Sequence, residues 1–212
     1  SQVDYSSPIQ IGALTNWKQI SAYRYYTAAV KTDGTLWAWG YNAYGNLGNG
    51  TVTYYSSPIQ VGALSTWSSV VTASISTYAL KNDNSLWAWG YNVNGQLGNN
   101  STTTVSSPIQ LGTPTIWNIL ASGYNFELAI QSSGTLSAWG NNSWGQLGLG
   151  DLTIRSSPVQ VGTSSWTQVY NNSQSSFAID INGRLFAWGT NSNAQLGDNT
   201  TVSRSVPTQI VS

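Results

Sequence analysis

The side chains in this sequence that could carry acid–base chemistry are seven carboxylates, because the chain contains neither histidine nor cysteine. The commonest general base and the thiolate nucleophile are therefore absent. Two carboxylates flanking a glycosidic bond could hydrolyse it, and oxygen ligands clustered at short spacing could bind Ca²⁺. The seven are Asp4, Asp33, Asp83, Glu127, Asp151, Asp180 and Asp198.

The positions of these carboxylates argue against both kinds of site. Asp33 and Asp83 occupy turns that recur along the chain, and Glu127 stands alone in a strand position that is otherwise Thr or Ser. A glycosidase pair would have to combine Glu127 with Asp151 or Asp198, and no local motif supports such a pair. No oxygen-rich loop with calcium-binding spacing is present. We therefore predict no enzymatic activity, no cofactor and no metal site.

The sequence that must position these residues is a fourfold repeat. The segment A-W-G, followed by a glycine-studded polar loop, recurs with a period of about 50 residues, which indicates a solenoid, a propeller or an array. A tryptophan that returns in every unit is expected to hold the unit together, because the ring buries a large apolar area. The A-W-G series is Trp39, Trp89, Trp139 and Trp188, and a second series is Trp17, Trp67, Trp117 and Trp166.

Each unit predicts four short strands and no helix. In the first unit, WKQISAY (17–23) alternates apolar and polar residues, and YTAAVKT (26–32) and TLWAWG (35–40) flank the pair Asp33-Gly34. This pair predicts a hairpin with a type I′ turn. A polar loop then leads to SPIQVG (57–62), a strand entered through a proline, as an edge strand tolerates. Because no segment has capped helical periodicity, we predict an all-β propeller whose blades are four antiparallel strands.

These residues resemble the regulator of chromosome condensation repeat. The resemblance lies in W-x-x-[VI], A-[VLI]-x-x-[DSN]-G, L-x-A-W-G, N-x-x-G-Q-L-G and a late S-P, and it extends over essentially the whole chain. It implies a β-propeller, usually of seven blades. Members of the family usually carry Gly and then His between the first two strands, but here the His is absent from every unit and the Gly remains only as Gly123.

Both ends of the chain carry a copy of the fourth strand, which bears on closure of the propeller. Residues 1–12 are predicted to be the outer strand of a preceding blade, and should pair with a segment outside the four blades. We expect a larger propeller of about seven blades, completed by a longer polypeptide, or an assembly of several chains. The chain begins inside a repeat and without Met, so we also expect a processed product or a segment of something longer. The predicted blades are 17–62, 67–112, 117–162 and 166–211.

Composition restricts the partners. Charged residues make up 7% of the chain and the net charge is zero, which gives no electrostatic basis for binding nucleic acid or an anionic membrane. No apolar run of about 18 residues occurs, so we predict no membrane insertion.

Two classes of loop vary between repeats, and recognition is expected there. Tyr and Trp among Ser, Thr, Asn and Gly are typical of binding surfaces, and they also suit stacking on sugars. The alternative is that these rings fill the seams between neighbouring blades, and the sequence leaves both open. The candidate binding residues are Tyr25, Tyr26, Tyr54, Tyr55, Phe126 and Trp144.

These observations favour a non-enzymatic propeller that supports recognition or assembly and binds a protein or a glycan. The low charge and the polar aromatic loops resemble surface adhesins and phage structural or tail proteins, so we expect an extracellular, cell-surface or virion location. A secreted inhibitor of a hydrolase is an alternative, because a known β-lactamase-inhibiting propeller resembles the same family. A second alternative is the activity of the family's eponymous member, a chromatin protein and nucleotide exchanger for a small GTPase, which acts through charged loops that this chain lacks.

Overall fold

A computed structural model describes residues 6–13, 15–112 and 116–211, in which sixteen strands form four separate antiparallel sheets of four strands each. The predicted all-β fold is confirmed, whereas the total of seven blades stays a prediction. These residues include no helix that is long and apolar enough to cross a membrane.

The strands follow the repeat. The first sheet consists of β1 (Trp17–Tyr23), β2 (Tyr26–Lys31), β3 (Leu36–Gly40) and β4 (Tyr55–Gln60). The second consists of β5 (Trp67–Thr72), β6 (Ser76–Lys81), β7 (Leu86–Gly90) and β8 (Val105–Leu111). The third consists of β9 (Trp117–Ser122), β10 (Phe126–Gln131), β11 (Leu136–Gly140) and β12 (Arg155–Gln160). The fourth consists of β13 (Trp166–Asn171), β14 (Ser175–Asp180), β15 (Leu185–Gly189) and β16 (Arg204–Gln209).

Each sheet is a meander whose strands lie in sequence order. Neighbouring sheets touch mainly through their first two strands, as β1 and β2 do with β5, and β9 and β10 do with β13. The first strand of each sheet therefore lies toward the centre of the array and the fourth toward its periphery. The main contacts between sheets in the described ranges join consecutive sheets only.

The hairpin between β2 and β3 differs from the predicted type I′ turn. Such a turn needs positive φ at both central residues, but in the pair Asp33-Gly34 only Gly34 has one, at 79°. The Gly34 N–H donates to the Lys31 carbonyl at 3.0 Å, and the Lys31 N–H to the Thr35 carbonyl at 3.0 Å. This is a three-residue loop that ends in a left-handed residue, and the Asp33 carboxylate caps it by accepting from the N–H and hydroxyl of Thr35.

The recurring tryptophans of the A-W-G segments fill the seams between sheets. Trp89, Trp139 and Trp188 are fully buried, as predicted. Each indole N–H donates to a backbone carbonyl in the preceding sheet's loop: Trp89 to Asn46 at 3.0 Å, Trp139 to Gln96 at 2.8 Å and Trp188 to Gln146 at 2.9 Å. Trp39 differs and is only partly buried, because no sheet formed by the described residues packs against the first sheet on that side, where only Gln10 and Ile11 from outside the sheet share a pocket with it.

Residues 6–12 are the described part of the predicted extra outer strand. They are exposed and form no strand in this chain. Residues 1–5 lie outside the described residues, so the pairing of this segment with a further blade stays a prediction.

Candidate recognition surface

Both classes of variable loop lie at the same end of the sheets. In a four-strand meander, the β1–β2 connection and the β3–β4 connection emerge on one side, and the Tyr41 N–H donates to the Tyr25 carbonyl at 2.9 Å across these two connections in the first sheet. We call this end the loop face. It consists of the short turns 24–25, 73–75, 123–125 and 172–174 and the long loops 41–54, 91–104, 141–154 and 190–203.

A buried asparagine fixes the shape of each long loop. The Asn42 side-chain amide donates to the carbonyls of Thr51 and Thr53 at 3.0 Å each, and its oxygen accepts from the Leu47 N–H at 2.8 Å. Equivalent bonds to the loop backbone surround Asn92, Asn142 and Asn191. Because these buried amides hold the loops from within, side chains on their surface stand on a rigid base.

Five tyrosines form a continuous cluster on the loop face of the first two sheets, which we call the tyrosine ridge. Three of them are exposed, whereas Tyr41 and Tyr91 are partly buried. Tyr41 lies at its centre, with ring centroids 4.9 Å from Tyr54, 6.2 Å from Tyr25 and 6.4 Å from Tyr44. Tyr44 in turn contacts Tyr91 of the second sheet at 4.9 Å, edge to face. Tyr25 is 71% exposed and Tyr54 57% exposed. The ridge consists of Tyr25, Tyr41, Tyr44, Tyr54 and Tyr91.

The structure divides the six predicted binding residues. Tyr25 and Tyr54 belong to the ridge, and Trp144 is 49% exposed on the loop face of the third sheet. Tyr55 is partly buried at the start of β4, against the core of the first two sheets. Whether any of these residues binds a partner stays a prediction.

Tyr26 and Phe126 are corrections to the predicted surface. Both are almost completely buried, because they are the first residues of β2 and β10 and point into the seams with neighbouring strands. The Tyr26 hydroxyl donates to the Ser76 carbonyl of the second sheet at 2.6 Å, and burial raises the pKa of this phenol well above its ordinary value. The alternative interpretation, in which aromatic rings fill seams, is correct for these two residues.

The prediction missed three members of the ridge: Tyr41, Tyr44 and Tyr91. Tyr41 and Tyr91 directly follow the A-W-G segment, where the other two units have Asn141 and Thr190. The departure from the repeat at this position was the available signal, but only the tertiary contact between two loops shows that the rings meet.

One cation lies beside this surface. The exposed Arg24 guanidinium is 5.3 Å from the ring centroid of Tyr124, in the third sheet, and 5.8 Å from that of Tyr23. The arginine therefore joins the turns of the first and third sheets by cation–π contacts.

The carboxylates that the sequence offered for catalysis are engaged in structural contacts. Asp151 and Asp198 form ion pairs with Arg155 at 2.6 Å and Arg204 at 2.7 Å, and hydrogen bonds in their loops lower the pKa of both carboxyls. Glu127 is completely buried; its Oε2 lies 2.5 Å from the Ser122 hydroxyl, and burial raises the pKa of this carboxyl well above its usual range. Across the described parts of the chain, no three carboxylates cluster as a metal site would need.

Comparison with known sequences identifies the repeat. The profile described as the regulator of chromosome condensation (RCC1) repeat matches residues 33–80, 83–130, 133–179 and 182–212, and a second profile with the same description matches residues 17–46. Each of the first three longer matches begins at the hairpin between the second and third strands of one sheet and ends in the second strand of the next sheet. One sequence repeat therefore includes parts of two sheets. No curated protein matches the chain significantly.

Solved structures share the fold. Human WBSCR16 superposes with a TM-score of 0.82 at 21% identity, over 92% of this chain and 52% of its own. Prp20p from Saccharomyces cerevisiae superposes with a TM-score of 0.84 at 20% identity, over 95% of this chain and 52% of its own. The same yeast protein bound to Kap60 gives 0.83 at 21% identity, over 95% of this chain and 50% of its own. The chain thus spans about half the length of these relatives.

Proposed function

Because the chain belongs to the RCC1 repeat family, we propose that it is a non-enzymatic scaffold that binds a partner protein through the tyrosine ridge. One observation carries the proposal: five adjoining tyrosine rings form a cluster on the loop face, in which Tyr25, Tyr44 and Tyr54 are exposed while Tyr41, at the centre, packs against the core beneath. Tyrosine is enriched among the residues that dominate binding energy, because its large rigid ring loses little entropy on contact.

The fold supports this use of the loop face. The buried asparagines hold the long loops before any partner arrives, so binding need not order the backbone under the ridge. A preordered surface avoids the entropy cost that weakens binding by flexible loops.

A protein partner is favoured over a glycan. The two carboxylates of the long loops, Asp151 and Asp198, are held by arginines and do not lie in the ridge. Small-ligand sites need a few convergent polar groups in a concave pocket, whereas the ridge consists of adjoining phenol rings with the hydroxyls as their polar atoms.

A regulator of the eponymous type is a second candidate, supported by the likeness of fold to yeast Prp20, whose structures concern binding to Kap60, Gsp1p and histones. The hydrolase inhibitor also binds a protein and is compatible with the ridge. The scarcity of charge supports an extracellular or particle-borne location as part of the proposal.

The proposal is tested with the variant Tyr25→Ser, Tyr44→Ser, Tyr54→Ser and a matched control, Leu64→Ser with Ile181→Ser, which removes exposed apolar side chains from the opposite end. Proteins captured by wild type are identified, re-expressed and measured by calorimetry, and glycans are tested on an array. A partner bound by wild type and control but lost by the ridge variant supports the proposal. Equal binding by all three proteins would contradict the proposal. Binding of a glycan without binding of any protein would show that the partner is a glycan.

A further inference from the structure

Three of the four sheets contain a packed group of two aromatic rings and a cation. In the second sheet, the rings of Trp67 and Trp87 meet edge to face at 5.9 Å, and the Lys81 ammonium lies 3.6 Å from the Trp87 ring centroid. The cation–π contact stabilises the ammonium where it is partly removed from water. The corresponding groups are Trp17, Trp37 and Lys31 in the first sheet, and Trp166, Phe186 and Arg184 in the fourth.

The third sheet keeps the first ring of this group and lacks the other two parts. The strand registers place Gln131 where the second sheet has Lys81, and Ser137 where it has Trp87. A hydroxymethyl group stands in place of an indole, and a neutral carboxamide stands in place of a cation. Space is therefore left beside the remaining ring, which is that of Trp117.

This space is an open groove between the second and third sheets. Its volume is about 650 Å³, whereas the equivalent groove between the first and second sheets, which Trp67 and Trp87 line, has about 350 Å³. The larger volume is in the range of small-ligand sites. Both sheets lie in the middle of the chain, so neither terminus forms a wall of the groove.

The walls of the groove carry neutral polar groups. Four of their side chains form no hydrogen bond with any described residue, namely those of Gln110, Gln131, Ser137 and Ser157. The Asn99 side-chain oxygen accepts from another asparagine of its loop at 3.0 Å, which leaves the amide N–H groups of Asn99 for a ligand. None of the described residues that line the groove is charged. Carboxamides and hydroxyls both donate and accept hydrogen bonds, so the walls suit a ligand that does the same.

We infer that this groove binds a neutral pyranose residue of a glycan. The C–H groups of the sugar ring pack against Trp117, in the place that Trp87 fills in the second sheet. The sugar hydroxyls bond with the carboxamides of Gln110 and Gln131, since an amide N–H and its carbonyl oxygen can serve two neighbouring hydroxyls. An apolar ring with a few polar groups around it is the usual composition of a small-ligand site.

The chemistry of the walls separates a sugar from other small ligands. An anion would need arginine or lysine, and a cation would need carboxylates or several aromatic rings, whereas the described walls have no charge and one aromatic ring, Trp117. A purely apolar ligand would leave the polar side chains without partners. The groove is also separate from the tyrosine ridge, because no tyrosine is among its described lining residues.

The second sheet provides the template for a test. Gln131→Lys with Ser137→Trp gives the third sheet the residues of the second, so this filled variant should fold and close the groove. The probes are maltotriose, cellotriose and triacetylchitotriose, each titrated against the protein by saturation-transfer NMR, which detects sugar protons in contact with it. We expect wild type to bind at least one probe in the millimolar range and the filled variant to bind none. Circular dichroism and thermal melting establish that the variant is folded.

Matched single substitutions give a second readout that does not depend on the filled variant. Gln110→Ala should weaken binding of the sugar by about three- to tenfold, the scale of one or two lost hydrogen bonds. Gln60→Ala should bind as wild type does, because Gln60 lines the equivalent groove between the first and second sheets. Both glutamines are exposed, so neither change should disturb folding. The triple tyrosine variant of the ridge should also bind the sugar as wild type does.

Three results would overturn the inference. The first is that no probe binds wild type at concentrations up to ~10 mM, so that the groove holds only water. The second is that the filled variant binds as wild type does, or that the ridge variant loses the sugar, because the sugar would then bind elsewhere. The third is that tetramethylammonium binds wild type and not the filled variant while no sugar binds, which would make the groove a cation site.

Discussion

Trp39 and Trp89 occupy the same position in consecutive sheets but have different surroundings. Trp89 is completely buried and donates to the Asn46 carbonyl, whereas Trp39 is partly exposed and lines an open pocket. Both stand in an identical LWAWG strand. The comparison shows that the repeat sets the direction of a side chain. The contribution of that side chain to stability depends on whether a neighbouring sheet packs against it.

The largest expected effect tests this comparison directly. Trp89→Ala should lower the free energy of unfolding by roughly 3–5 kcal/mol, because it leaves a cavity and removes the indole hydrogen bond to the Asn46 carbonyl, which keeps only the bond from the Thr77 hydroxyl. Trp39→Ala should lower the free energy of unfolding by much less, since part of the ring already contacts water. Chemical denaturation of wild type and the two variants measures both losses. Equal losses would mean that the seam does not account for the stabilising role of the tryptophan.

Gly48 and Gly197 sharpen the comparison, because both have positive φ but only Gly48 lies against an indole. Alanine is strained at either position, by about 1 kcal/mol. Gly48→Ala should lose roughly 1–3 kcal/mol more than Gly197→Ala, because its methyl group overpacks the Trp89 seam. Thermal denaturation of the pair gives the difference, and similar melting temperatures would count against a rigid seam.

The seams can also be compared through one strand position. Thr77 and Ser176 each donate to the loop carbonyl of the preceding sheet, at 2.7 and 2.8 Å, whereas Glu127 occupies this position in the third sheet. Burial raises the pKa of the Glu127 carboxyl, so the folded state retains a proton that the unfolded state loses above its ordinary pKa of about 4.5. The contribution of Glu127 to the free energy of unfolding is therefore fully present below that pH, and it is lost as the pH rises toward the pKa of the folded state.

Glu127→Gln should accordingly stabilise the protein at pH 7 and flatten the fall in unfolding free energy between pH 4.5 and 7. Urea denaturation across this range measures the slope. Asp33→Asn is the control for a carboxylate with the opposite behaviour, because the Thr35 hydrogen bonds lower its pKa. An unchanged slope in Glu127→Gln would show that the carboxyl is not held neutral.

The smallest expected effect on stability contrasts the ridge with the seam. Tyr25→Ala should change the free energy of unfolding by less than about 0.5 kcal/mol, as for an exposed surface residue. Tyr26→Ala, next to it in the sequence, should cost roughly 3–5 kcal/mol because its ring is buried. Calorimetric melting of the two variants measures both changes. If the ridge were part of the core, Tyr25→Ala would be the more destabilising of the two.

Local sequence patterns were sufficient for some features of this protein. Alternation in WKQISAY and the turn pair Asp33-Gly34 predicted the strands and the hairpin, because both depend on neighbours in the chain. The recurrence of A-W-G predicted the four sheets and the burial of Trp89, Trp139 and Trp188. The type I′ turn was wrong because the hairpin loop has three residues, which the residue types alone do not distinguish.

The sequence by itself therefore determined the strands, the repeat and the family, since periodicity and turn chemistry are local properties. Only the tertiary structure decided that Tyr25 is exposed while Tyr26 is buried, because this depends on which side of β2 faces the second sheet. It also brought Tyr25, Tyr44 and Tyr91 into one ridge and left Trp39 and Leu185 accessible to solvent. The physical reason is that burial is set by packing between sheets whose residues are about 50 positions apart, a distance over which a local pattern specifies no contact.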